Sequence, residues 1–147
     1  VERKMKIGFD LDGVLLTQNS VDIVLTRENE PAKRLYYETL QPQLNPCMFA
    51  HDADKLFIIT AREQSLQQLT KKQCDKFFPN ITLIQIAVSQ WKNADKWHEW
   101  FVSVAKAKAE VINQLGLDVY FEDMPITVEK LRELCKKCKI IQYGGRI

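Results

Sequence analysis

Five short apolar runs punctuate the chain: 6–11 (KIGFDL), 55–60 (KLFIIT), 82–88 (TLIQIAV), 118–122 (DVYFE) and 139–143 (KIIQY). They lean on Ile, Val, Phe and Tyr, and several are apolar at consecutive positions. A strand covered on both faces reads this way, because neither face alternates with water. Segments of helical period lie between the runs. Leu66, Leu69, Gln73 and Phe77 recur at helical spacing within 64–78, and Val128, Leu131, Leu134 and Cys135 within 126–138. The segment 103–115 ends at Gly116, which suits a left-handed helix cap. Pro31 predicts the start of another helix over 31–40, before Pro42 and Pro46 break the chain. Strands alternating with helices predict an α/β fold, a three-layer doubly wound parallel sheet of five core strands with right-handed crossovers.

Two intervals are less regular. Residues 17–45 leave room for a minimal helical cap or flap, and 89–102 insert three tryptophans ahead of a helix. Trp97, Trp100, Phe101 and Val104 keep helical spacing, which favours a packed helix face over a platform for a nucleobase. Trp91 lies off that stripe, and either role is open to it. His98 reads as a surface or packing residue, since a metal site needs more partners.

Composition narrows the class. The chain has 147 residues, 46% of them hydrophobic and 27% charged, enough for one core of ordinary density. A net charge of +2 gives no electrostatic reason to expect nucleic acid. No apolar stretch approaches the ~18 residues that span a bilayer. VERKMK lacks the apolar run of a signal peptide, and Met5 reads as a start, so residues 1–4 are expected to be an extension of a single domain over 5–147. Cys47, Cys74, Cys135 and Cys138 are sparse for a disulfide scaffold, which predicts free thiols in a cytoplasmic protein.

In a doubly wound sheet, chemistry gathers beyond the carboxyl ends of the strands. There the first run ends in Asp10 and Asp12, the second in Thr60-Ala61-Arg62, and the fourth in Glu122 and Asp123. Lys106 and Lys108 lie on the helix leading to the fourth run. Carboxylates crowded together cannot all stay ionised without a cation. An oxygen-only set of this kind suits Mg²⁺, with Thr and Lys for phosphate oxygens. The residues thus point to Mg²⁺-assisted phosphoryl transfer. Asp52 and Asp54 repeat the acid spacing but precede a strand, which predicts a solvated loop at the opposite edge.

With these residues in place, the chain resembles the haloacid dehalogenase (HAD) superfamily of phosphohydrolases. The matching stretches are FDLDGVL (9–15), the threonine of FIITAR (57–62), the lysine of AKAEVINQLGLD (107–118) and the acids of VYFEDMP (119–125). The resemblance implies that Asp10 is the nucleophile, forming an aspartyl-phosphate, and that Asp12 is the acid and base. It implies that Thr60 and Lys108 hold the phosphoryl group, Lys108 fitting the pattern better than Lys106. Asp10, the backbone carbonyl of Asp12, and Glu122 or Asp123 would hold Mg²⁺. Glu122 departs from the usual aspartate. Direct ligation by Asp123 with Glu122 acting through water, or the reverse, both stand. Arg62 divides evenly between a phosphate or substrate contact and a surface ion pair. Tyr36 and Tyr37 fit helix packing before an entrance role, and YGGRI reads as a tail.

The interval from Asp12 to Thr60 is too short for a large cap domain. It implies an open site, unless a second copy of the chain covers it. The ITAR and EDMP contexts look closest to the small 5′(3′)-deoxyribonucleotidase-like branch, so a nucleotide or similar small phosphate ranks first as substrate. Nucleic-acid ends or phosphoproteins rank second, and a non-catalytic binding role third.

Overall fold

The computed structural model describes residues 4–17, 30–51, 54–88 and 97–144. Its strands are β1 (Lys6–Phe9), β2 (Lys55–Thr60), β3 (Thr82–Gln85), β4 (Val119–Glu122) and β5 (Lys139–Gln142). All pair in parallel in the order β3-β2-β1-β4-β5. The chain winds outward from β1 to β3, then returns to build β4 and β5 on the other side. The carboxyl end of β1 is therefore a topological switch point. The α-helices are α1 (Glu30–Glu38), α2 (Gln67–Phe77), α3 (Trp97–Leu115) and α4 (Pro125–Leu134).

The three expected layers are present, because neighbouring strand residues point to opposite faces. Ile59 and Tyr120 pack with Ala105 and Ile112 of α3 and Leu131 of α4. Ile58 and Phe121 pack on the other face with Phe9, Leu11, Leu40 and Cys74. Phe9 and Phe121 stack 5.0 Å apart across the β1–β4 pair.

Boundaries differ from the sequence reading for identifiable reasons. β1 stops at Phe9, although the Asp10 N–H still donates to Phe121 O, because the chain turns through Gly13 at φ +87°. Gly tolerates that left-handed conformation where other residues are strained. The third strand ends at Gln85 instead of 88, and a 3-10 turn at Gln64–Leu66 precedes α2. α3 starts at Trp97, ahead of the expected 103, so its tryptophans form the opening turns of that helix. Trp100 packs against the core, whereas Trp97 stays 44% exposed with its ring 6.3 Å from Phe101. α4 ends at Leu134, where the Cys135 N–H closes on Leu131 O, and this leaves Leu134 exposed at the end of its stripe.

Asp54 accepts the Met5 and His51 N–H groups at 2.9 Å, a structural role at the amino edge of β2. Asp52, Trp91 and residues 18–29 of the flap lie outside the described residues. No described helix is long and apolar enough to cross a membrane.

Gly8 is set by a close approach. It faces Tyr120 in the β1–β4 register, and a Cβ there would lie 2.6 Å from Leu117 Cδ1 and 2.9 Å from Tyr120 Cδ1. Gly8→Ala is expected to cost about 1–3 kcal/mol through overpacking. Urea denaturation should show a lower midpoint at unchanged m-value.

Candidate active site

The β1–β2 and β1–β4 registers bring three strand ends together. Phe9 is level with Ile58 and Phe121, so Asp10, Thr60 and Glu122 emerge side by side. Asp10 is buried, and its Oδ1 accepts the Leu11 N–H at 2.9 Å. Lys108 arrives from α3, 2% exposed, and donates to Asp10 Oδ1 at 3.0 Å and Glu122 Oε1 at 2.8 Å. Its Nζ lies 5.6 Å from the Tyr120 ring centre, within cation–π range. Lys106 is exposed on the same helix. Glu122 Oε2 accepts the Asp123 N–H at 3.1 Å, so both of its oxygens are engaged by the protein. Thr60 is buried at the end of β2, its Oγ1 accepting the Arg62 N–H at 3.3 Å.

Asp12 stands apart from this cluster. Arg62 Nε donates to Asp12 Oδ2 at 3.0 Å, and Nη2 to Oδ1 at 2.7 Å. Arg62 is only 4% exposed, so the pairing is not a surface ion pair. The helix α1 seats on the loop after β2: Lys33 pairs with Glu63 at 2.8 Å, and Arg34 donates to Ser65 O at 3.0 Å. Tyr37 lies over Arg62, with the guanidinium carbon 4.6 Å from its ring centre.

The turn after Asp12 is strapped by residues the sequence reading passed over. Gln43 Nε2 donates to Gly13 O at 2.8 Å and Val14 O at 3.0 Å. At the chain's far end, the Tyr143 N–H bonds Glu122 O, and Gly144 packs so closely on Gly13 O that a side chain would collide. Tyr143 and Gly144 are thus part of the site's wall and not a loose tail. Two more polar residues support the site: Gln85, which donates to Arg62 O and Glu63 O at 2.8 Å, and Gln73, whose Oε1 accepts from Arg62 at 2.6 Å. Gln73 had left a signal, as a polar residue within an apolar helical stripe.

Carboxylate oxygens of Asp10, Glu122 and Asp123 lie within 4.8 Å of one another, and all three residues are buried. Burial and the Glu122 charge push the Asp10 carboxyl well above its usual range, against the opposing pull of Lys108. Burial and Asp10 push Asp123 up to about 7. Burial disfavours the charged form of Lys108, but Asp10 and Glu122 reverse this and raise its pKa well above that of a free lysine. Among the described residues a single buried ammonium thus faces three acids. That surplus of hard oxygen donors fits a divalent cation such as Mg²⁺. Asp10 and Asp123 are the carboxylates best placed to hold it, since Glu122 is occupied with Lys108 and a backbone N–H.

A pH dependence follows. Asp123 titrates at 3.8 when free but near 7 in the fold, so the folded state binds the extra proton between those values. Stability without metal therefore falls as pH rises from about 4 to 7. Mg²⁺ must displace that proton, so its binding is expected to release protons below pH 7 and to tighten as pH approaches 7. Calorimetric titration in two buffers of different ionisation enthalpy should show the release at pH 6 and its loss at pH 8.

No protein-family model matches the chain, and no curated protein matches it. Among solved structures, one in the Pnkp1/Rnl/Hen1 complex aligns at 16% identity and TM-score 0.57, over 97% of this chain and 48% of that one. The present chain thus spans about half the length of that neighbour. A HAD-superfamily hydrolase of subfamily IA, variant 1, from Geobacter sulfurreducens aligns at 12% identity and TM-score 0.51, over 95% of this chain and 87% of that one. At these identities the likeness speaks to architecture alone: the chain has an α/β fold similar to that of these two structures.

Proposed function

We propose that the protein is a Mg²⁺-dependent phosphomonoesterase working through an aspartyl-phosphate on Asp10. The observation that carries this reading is the Lys108 bridge between Asp10 and Glu122, with Asp123 in the same oxygen cluster. Three stretches far apart in sequence meet there, each with the residue type the reaction needs. Asp10 attacks phosphorus: an Asp10 oxygen–phosphorus bond forms, and the ester oxygen departs with its electron pair. Asp12 gives that oxygen a proton, then takes one from the water that cleaves the acyl-phosphate. Thr60 and the backbone at Ala61 face the phosphoryl oxygens, and Lys108 offsets their charge. Mg²⁺, held by Asp10, Asp123 and the Asp12 carbonyl, would supply charge neutralisation for the phosphoryl group. A nucleotide or another small phosphate is the proposed substrate class.

The test is phosphate release with and without Mg²⁺, from p-nitrophenyl phosphate, mononucleotides, 5′- and 3′-phosphorylated oligonucleotides and phosphopeptides. Release that chelation abolishes, with mononucleotides preferred, is expected. No release from any ester would overturn the phosphatase reading, and preference for the polymers would move the substrate to nucleic-acid ends or phosphoproteins.

A further inference from the structure

We propose that Arg62 is a positioning residue that aims the Asp12 carboxylate, and that through Arg62 the helix α1 controls proton transfer to the leaving group. The inference rests on the phosphatase reading above.

The guanidinium is fixed on every side. One edge makes the two parallel bonds to Asp12, at 3.0 and 2.7 Å. Its Nη1 donates to Thr70 Oγ1 at 3.2 Å and Gln73 Oε1 at 2.6 Å, both on α2. Tyr37 of α1 covers its face, and Gln73 Nε2 donates to Tyr37 O at 2.6 Å, so α1 and α2 are joined through the same group. Asp12 is the more accessible partner, its side chain 22% exposed against 1% for Arg62. Among the described residues its carboxylate accepts no other side-chain hydrogen bond. Arg62 therefore decides where the Asp12 oxygens point. A planar fork can do this, whereas a lysine ammonium cannot hold two oxygens in one plane. The commitment of the guanidinium to Asp12, Thr70 and Gln73 also argues against a direct phosphate contact.

A group that aims an acid matters only where the leaving oxygen needs a proton. An alkoxide needs one, whereas 2,4-dinitrophenolate leaves without it. The measurement is kcat/KM, which ends at formation of the phosphoenzyme, for an alkyl phosphate and for 2,4-dinitrophenyl phosphate. Arg62→Lys is expected to lower the alkyl value by about 10²–10³-fold, the usual worth of general acid catalysis, and the dinitrophenyl value by less than about tenfold. Asp12→Asn should show the same selective loss. Tyr37→Leu keeps the helix but strips the ring from Arg62, and should show it more weakly, which also covers the case of an Arg62 variant that fails to fold. Equal losses for both esters in Arg62→Lys and Tyr37→Leu would mean a phosphate contact or a purely structural role, and would overturn the assignment. A wild type that hydrolyses neither ester would instead overturn the phosphatase reading, and this assignment with it.

Discussion

Lys108→Met is expected to lower stability and turnover together. Among the described residues Lys108 is the one ammonium bonded to the buried acids, reaching Asp10 at 3.0 Å and Glu122 at 2.8 Å. Methionine fills the space but leaves those carboxylates without their counter-charge. Breaking a buried pair from one side costs about 3–5 kcal/mol, because the remaining charge stays desolvated. In a domain of this size that is a fall in melting temperature of roughly 10 °C. The loss should be largest at neutral pH without metal. It should shrink at pH 5, where Asp123 takes up a proton, and on adding Mg²⁺, which neutralises the same oxygens. Turnover should fall by about 10²–10³-fold, as when one preorganised donor to the developing charge is removed. A variant that melts like the wild type at pH 7.5 without metal would show that Lys108 does not balance the acids.

Much of this site could be read from the sequence. The acids at the ends of KIGFDL and DVYFE, and Thr60 at the end of KLFIIT, were legible because a parallel sheet places such residues at one edge. Lys108 was favoured over Lys106 by the family pattern, and the structure buries it on the face it shares with Val104 while Lys106 is exposed. What stayed hidden was pairing between residues far apart in sequence. Glu122 could have been a metal ligand or a partner for lysine, and only the register of β1 against β4 puts it within reach of Lys108. Arg62 could have met phosphate or substrate, or formed a surface ion pair. Its burial against Asp12 depends on α1 closing over it and on Gln73 reaching across from α2. Gln73 broke an apolar stripe, but nothing local says which group its carboxamide meets. The extent of α3 was legible only in part: helical spacing runs through Trp97, Trp100, Phe101 and Val104, whereas the helix was expected to begin at 103.

Asp10→Asn should separate the two properties that Lys108→Met lowers together. Replacing the nucleophile is expected to reduce turnover by 10⁴-fold or more, on the order seen when a covalent nucleophile is removed. The fold should gain. Burial and Glu122 both oppose ionisation of Asp10, so its charge is a net cost to the folded state despite Lys108. Asparagine keeps an oxygen for the Leu11 N–H and for Lys108 while removing that charge. Lys108 then faces Glu122 with one competitor fewer, and the repulsion that holds Asp123 up to about 7 loses its largest electrostatic source. The melting temperature without metal should therefore rise at pH 7.5, and the gain should vanish toward pH 4, where Asp10 is already protonated. Mg²⁺ should stabilise the variant less than the wild type, because a ligand is gone. Strain of this kind, concentrated on reacting groups, is how active sites give up stability for chemistry. Paired melts and phosphate-release assays on Asp10→Asn and Lys108→Met are the check. Asp10→Asn losing stability at pH 7.5 as Lys108→Met does would mean that the Asp10–Lys108 contact outweighs the cost of burying the Asp10 charge.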